Sequence, residues 1–293
     1  MLLITDKKSA SGWINGFTGM CIFSGSLPAT KMAIADFSPF FLTFSRATIA
    51  GLLGLAMILA MKQKVPSFRQ TGALLVVALG VVLGFPLLTA LALEHVSSAH
   101  SLVFLGLLPL STALFGVLRG GEKPGIPFWL CSGAGSLLVV AFALSQASNT
   151  SLTGDLLMLA AVVVCGLGYA EGAKLTRELG GWQVISWALI ISLPVMFSAL
   201  LFTFPASLSS VSVTGWLGLG YVSLFSMLIG FIFWYKGLAA GGIAAVGQLQ
   251  LLQPFIGLGL SATLLHEKVS TLMILVTLGV VICVSGSKKF AYK

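Results

Sequence analysis

The chain has 293 residues, of which 57% are apolar and 8% charged, with a formal net charge of +8 and a mean hydropathy of +1.05. Soluble domains carry roughly 25% charged residues, so this chain lacks the polar groups to cover a water-facing surface. A soluble enzyme, a nucleic-acid-binding domain and a disordered chain are excluded, and a polytopic membrane protein remains.

Ten apolar segments follow in chain order, at roughly 13–34, 39–61, 70–93, 97–118, 127–146, 154–173, 182–204, 214–237, 243–265 and 270–287. Each is about long enough for a helix rising ~1.5 Å per residue to cross a hydrocarbon core of ~30 Å. Polar punctuation at 62–66, 120–124, 146–150 and 205–212 separates them, and no connection can hold a soluble domain. The alternating strands of about ten residues that build a membrane β-barrel are missing from the pattern. Lys7 and Lys8 precede the first segment as they would a signal peptide. That segment outruns a signal peptide's apolar core of ~7–15 residues, carries Pro28 and Lys31 near its end and lacks a small-x-small cleavage site. It therefore reads as a membrane helix. Glycine is abundant, at 34 residues, as expected of tightly packed membrane helices. Cys21, Cys131, Cys165 and Cys283 all lie in apolar stretches and read as small packing residues outside any disulfide framework.

The cations sort by side. With ten crossings, one side holds Lys7, Lys8, Lys62, Lys64, Arg69, Arg119, Lys123, Lys174, Arg177, Lys236, Lys288, Lys289 and Lys293, whereas the other holds Lys31 and Lys268. Arg46 lies inside the second segment. Short cytoplasmic loops carry the excess of Lys and Arg, so both termini are expected in the cytoplasm of a bacterium, with the protein in its inner membrane. The positive charge thus reports topology and needs no nucleic acid or other anionic partner.

The chain also repeats itself. Residues 93–123 align without gaps on 238–268, at an offset of 145. Leu93 matches Leu238, Ala99 matches Ala244, Leu107 matches Leu252 and Pro109 matches Pro254; Glu122-Lys123 matches Glu267-Lys268. The proline and the charged pair are the informative part, because both are scarce here. Each half, 1–148 and 149–293, then holds five segments. An odd number sends the second half into the membrane from the opposite side, giving the inverted repeat typical of secondary transporters. The expected fold is an all-α membrane protein of ten transmembrane helices in two inverted five-helix repeats.

Two such halves, each closing its fourth helix with a Glu-Lys pair, resemble the drug/metabolite transporter superfamily with tandem EamA-type repeats. Lys31, Ser45-Arg46 in the second segment and Gly154-Asp155 opening the sixth add to the likeness, which covers nearly the whole chain. Within that superfamily the sequence is most similar to bacterial amino-acid and metabolite exporters of the YddG-like kind. The resemblance implies a central cavity between helices 1, 3, 4, 6, 8 and 9, and alternating access around it.

Candidate substrate contacts follow from polar and aromatic residues at membrane depth. Gln248, Gln250 and Gln253 lead up to Pro254, and their amides must face protein or water. Gln248 and Gln250 lie 200° apart on a helix, so one could serve substrate and the other a neighbouring helix. His100 lies one turn into the fourth segment. Tyr169 and Trp234 read either as an interfacial aromatic belt or as a substrate-facing gate. Ser24 and Ser26, just before Pro28, could offer their hydroxyls to substrate or return them to their own helix. Pro28, Pro86, Pro109 and Pro254 are candidate kinks or gating points. Arg46, about 7 residues and so on the order of 10 Å into the second segment, must snorkel, pair or meet free carbonyls; the resemblance implies structural bracing, with substrate contact as the alternative.

No convergent catalytic triad or metal-ligand spacing is present in the sequence, so neither an enzyme, nor a metal, nor another cofactor is expected. The eight carboxylates fall at predicted helix ends or loops, which argues against a mid-membrane proton relay. The expected partners are the lipid bilayer and a small neutral or zwitterionic substrate, an amino acid or similar metabolite; a hydrophobic drug on the same fold is the alternative. A monomer is expected, with a dimer as the alternative state.

Overall fold

The computed structural model describes residues 2–96, 101, 104–146, 151–205, 207–253, 255–257, 259–260 and 271–291. Every regular element among them is helical. In the first half, segment 1 is α1 (Leu2–Ser24) followed by α2 (Ser26–Ile34), and segment 2 is α3 (Pro39–Ala60). Segment 3 is α4 (Phe68–Val77), a π-helical stretch (Ala78–Gly84) and α5 (Phe85–His95); segment 4 contains α6 (Leu108–Gly120), and segment 5 is α7 (Ile126–Gln146). In the second half, segment 6 is α8 (Leu152–Leu179) and segment 7 is α9 (Gly181–Phe202). Segment 8 is α10 (Val213–Tyr221), a second π-helical stretch (Val222–Ile229) and α11 (Gly230–Gly241). Segment 9 opens with α12 (Ile243–Gly247) and a 3-10 stretch (Gln248–Leu252), and segment 10 is α13 (Thr271–Phe290). Pro39–Ala60, Phe68–His95, Leu152–Leu179, Gly181–Phe202 and Val213–Gly241 are each long and apolar enough to cross a membrane.

Local chemistry sets where these helices begin and end. Ser38 accepts the Phe41 N–H at 3.2 Å and Pro39 follows at the first helical position, where its missing N–H costs nothing. Ser212 accepts the Gly215 N–H at 3.0 Å to start segment 8. Gly121, at φ +70°, closes α6 in the left-handed conformation. Several helices run past their apolar stretch. Segment 6 continues through Glu171, Lys174, Arg177 and Glu178 to Leu179, because the backbone stays helical after its side chains turn polar.

The packing shows the two-fold relation of the halves. An offset of 145 carries segments 1–5 onto segments 6–10 in order. Segment 2 packs against segment 7, and segment 5 against segment 10; each of these pairs maps onto itself. Segment 1 packs against segment 8, and segment 3 against segment 6; these two pairs exchange. The fold is therefore an all-α membrane protein built from two inverted five-segment repeats.

The same offset carries the π-helical residues 78–84 onto 223–229, inside the second π stretch. Pro86 accounts for the first one. A proline ring clashes with the carbonyl four residues back, and a wider turn relieves that clash; the Phe85 N–H reaches back to the Gly80 carbonyl instead. Segment 8 has no proline there, yet the Gly230 N–H makes the corresponding bond to the Phe225 carbonyl. Pro28 falls in the first turn of α2 and Pro109 at the start of α6, so both sit at helix beginnings, where a free N–H is not needed. Pro254 lies outside the described residues.

Candidate functional site

A narrow cavity lies where the two halves meet. Its wall takes Phe23, Ser26, Leu27 and Thr30 from segment 1, Arg46 from segment 2, and Val81, Phe85, Pro86 and Thr89 from segment 3. Leu105 and Leu108 of segment 4, Tyr169 of segment 6, Ser226 and Phe231 of segment 8, and Gln253 of segment 9 complete it. Both π-helical stretches border it, through Val81 and Ser226, and these two residues are themselves 145 apart. Wide turns of this kind recur at functional sites because they re-aim side chains without ending the helix. The cavity's volume is about 50 Å3. That space holds a few waters, but pockets that bury drug-sized ligands measure ~300–1,000 Å3. A drug-sized solute would not fit without widening it.

The wall is apolar with a small polar cluster. Arg46 Nη2 donates to Ser226 Oγ at 3.2 Å, and Ser26 Oγ donates to the same oxygen at 2.8 Å. Gln253 Nε2 donates to the Phe23 carbonyl at 3.3 Å across the two halves. Thr89 is buried with its hydroxyl unpaired. Phe23, Tyr169 and Phe231 of the wall pack on Trp234 and Tyr235 behind it in an aromatic layer, edge-to-face except for the tilted Phe231–Tyr235 pair. Tyr169 and Trp234 centroids lie 5.5 Å apart, and Phe23 and Phe231 lie 5.0 Å apart. Such contacts fix ring orientation at about 0.5–1.5 kcal/mol per pair.

The expected site residues divide. Tyr169, Gln253 and Pro86 line the cavity. Trp234 is 0% exposed and backs the wall without lining it, which removes it from any interfacial belt. Ser24 returns its hydroxyl to the Met20 carbonyl at 2.9 Å. Gln248 and Gln250 are both buried in the 3-10 stretch and do not line the cavity. Gln248 Nε2 bonds the Ala244 carbonyl at 3.3 Å. The Gln250 amide makes no well-aligned hydrogen bond but stands beside the hydroxyl of Tyr169 on the cavity wall. Pro28 and Pro109 are not on the wall, and His100 lies outside the described residues. Ser26, the other candidate hydroxyl, does line the cavity, and the structure adds Thr30, Thr89 and Ser226, hydroxyl residues whose sequence signal is weak because such groups often bond back to their own helix. It also places Arg46 on the cavity wall.

At the end carrying the basic residues, Glu122 ties the two halves together. Its Oε1 accepts the Ile243 N–H at 2.6 Å and its Oε2 accepts the Ala244 N–H at 2.7 Å. The carboxylate thus caps the start of segment 9, and Arg177 Nη2 stands 3.7 Å from it. Beside this cap is a cleft of about 240 Å3 lined by Arg69, Gln70, Arg119, Glu171, Lys174 and Glu178 among others. Arg119 Nε pairs with Glu171 at 2.9 Å, and Gln70 Nε2 donates to Glu178 at 3.3 Å. With charges largely matched among themselves, the cleft reads as a polar vestibule. At the opposite end, Asp36 accepts the Ser212 N–H at 3.2 Å, tying the loop after segment 1 to the start of segment 8.

The EamA-like transporter family matches the chain twice, over residues 10–145 and 152–287. The chain is 62% identical to the uncharacterized transporter YdeK of Bacillus subtilis (strain 168), over 97% of this chain and 99% of that one. It is 23% identical to the uncharacterized transporter YyaM of the same organism, over 81% of each chain. Identity to the uncharacterized transporter sll0355 of Synechocystis sp. (strain ATCC 27184 / PCC 6803 / Kazusa) is 24%, over 86% of this chain and 82% of that one. A protein of known crystal structure, 19% identical, superposes with a TM-score of 0.78 over 94% of this chain and 98% of its own. That likeness shows a common fold.

Proposed function

The chain belongs to the EamA-like transporter family, and on that premise we propose that it exports amino acids or similar small neutral or zwitterionic metabolites across the bacterial inner membrane. Both termini face the cytoplasm in this reading, because the basic residues gather at that end. Access to the central cavity alternates as the inverted halves exchange roles. Tyr169 and Gln253 touch the substrate, while Trp234, Gln248 and Gln250 hold the wall from behind. Pro86 and the π-helical stretches supply the give that admits a solute larger than the resting cavity.

The observation that carries the reading is the cavity itself. It is built by both halves, at the crossing of their exchanging pairs, from an apolar wall with a few hydroxyl and amide groups. Among the described residues no Asp or Glu lines it, so protons have no carboxylate to ride through the centre. Transport is then facilitated diffusion or weakly coupled exchange. The competing reading, export of hydrophobic drugs that are often cationic, is disfavoured by Arg46, whose charge in the wall repels a cation.

Proteoliposome flux tests this. Labelled phenylalanine, methionine and threonine should cross faster than in protein-free vesicles, with little change when a pH gradient is imposed. Movement of a cationic dye without amino-acid movement would reverse the assignment of substrate class.

A further inference from the structure

Arg46 is a charge with nothing to answer it. It is 7% exposed and lies 7 residues into α3 (39 to 46), while its guanidinium stays protonated in proteins. One nitrogen bonds the Ser226 hydroxyl at 3.2 Å, and Nε is buried with no acceptor. Among the described residues no carboxylate pairs with it; the ion pairs lie at the basic end, Arg119 with Glu171 and Arg177 with Glu122. An arginine that only braced helices would be expected to close its donors on carbonyls or a carboxylate, since an uncompensated buried charge is strongly unfavourable. This one lines the cavity instead.

We propose that Arg46 is the anchor for a carboxylate on the substrate, and that the transported class is carboxylates with an apolar body, amino acids among them. The proposal rests on reading the cavity as a transport site. The planar guanidinium matches a carboxylate through two parallel hydrogen bonds. Ser226 strengthens the match: its oxygen accepts from both Arg46 and Ser26, so its own hydrogen is left to donate to the same ligand. Phe85, Tyr169 and Phe231 offer the apolar surface for the body. Among the described residues no acidic side chain on that wall answers an ammonium, so the site reads the acid group and is indifferent to the amine. Recognition of an acid by a buried donor set also rejects the uncharged analogue, because the donors are then left unpaired.

The test uses four related probes: 3-phenylpropanoate, phenylalanine, phenylalaninamide and phenethylamine. The two acids should raise the thermal midpoint of the detergent-purified protein and cross proteoliposomes. The amide and the amine should do neither, with flux at least about tenfold lower. Arg46→Gln should lose acid flux by about tenfold or more, and Arg46→Lys should fall between, keeping charge without the fork. Ser226→Ala, a milder change than loss of the guanidinium, should weaken acid binding several-fold and keeps the test decisive if Arg46→Gln does not fold. Equal flux of acid and amide, or wild-type acid flux and binding in either variant, overturns the carboxylate anchor and leaves the transport reading intact. Stabilisation of the wild type by acids alone, without flux of any probe, upholds the anchor and overturns transport. If no probe binds or moves, both fall.

Discussion

Gly237→Val should leave little correctly folded protein. A Cβ at Gly237 would sit 2.5 Å from the Gly16 nitrogen and 2.6 Å from its Cα. One turn along, a Cβ at Gly12 would meet the Gly241 nitrogen at 2.4 Å. Segments 1 and 8 therefore touch backbone to backbone, and the obstacle is main chain that cannot rotate aside. In lipid such contacts hold helices together by close packing, since surrounding acyl chains are as apolar as leucine. Overpacking typically costs about 1–3 kcal/mol, and more where backbone must move. We expect at least the upper end here, seen as loss of monodisperse protein and of the thermal unfolding transition in detergent. Gly133→Ala and Gly220→Ala, positions with nothing within 4 Å of an added Cβ, should shift stability by no more than about 0.5 kcal/mol. A Gly237→Val protein that melts with the wild type would mean the seam is loose.

That seam bears on mechanism. Its repeat equivalent joins segments 3 and 6, where a Cβ at Gly80 would lie 2.6 Å from the Val164 carbonyl and 3.0 Å from Gly168 Cα. Each glycine seam joins one segment from each half. Packing this close resists sliding, so in the proposed transport cycle segments 1 with 8 and 3 with 6 are expected to move as paired units. Widening of the cavity must then come from rocking between pairs or from the π-helical turns beside it. These alternatives differ in what proline removal does. The two π stretches coincide under the repeat, but only the first follows a proline, so the second does not depend on one.

The sequence carried the class, the segments and the repeat more clearly than the site. Composition and charge placement report bulk solvation, which every residue shares, and the Glu-Lys pair stands out because charge is scarce. The paired π stretches were not legible: residues 70–93 read as one uninterrupted apolar run, and a π turn changes register without changing hydropathy. The glutamines were legible as buried but not as facing the cavity. Gln248 and Gln250 fall in a 3-10 stretch whose turn differs from the α-helical spacing used to place them, and Gln253, the first residue past that stretch, is the one that reaches the cavity. Arg46 shows the limit most plainly. Depth marks it as costly to bury, but whether a counter-charge stands opposite is a tertiary fact. Its partner Ser226 is 180 residues away, on a segment where serine is unremarkable.

Glu122→Gln should open the basic end. The carboxylate holds two backbone N–H groups at the start of segment 9, and charge-assisted bonds of this kind contribute roughly 1.5–3 kcal/mol each in protein interiors. A glutamine can offer one oxygen; its NH2 then faces the second N–H, donor against donor. The side chain is 19% exposed, so water recovers part of the loss. A net weakening of about 1.5–2.5 kcal/mol is expected, which corresponds to roughly 10- to 70-fold in the closed-to-open ratio. Because Glu122 ends segment 4 of one half and caps segment 9 of the other, the weakening falls on contact between the halves rather than within either. A reporter placed behind the cap reads it. Thr112 is 0% exposed and lies against Gly247, whose added Cβ would meet it at 3.0 Å. In a background lacking the four native cysteines, Thr112→Cys should react slowly with an impermeant maleimide in inverted vesicles, and about tenfold faster once Glu122→Gln is added. Equal rates in both proteins would mean that the cap is a local helix-start device and that some other contact holds the basic end shut. A faster rate, with the unfolding midpoint lowered by no more than a few degrees, would identify Glu122 as the group that sets how often the cavity opens toward the basic end.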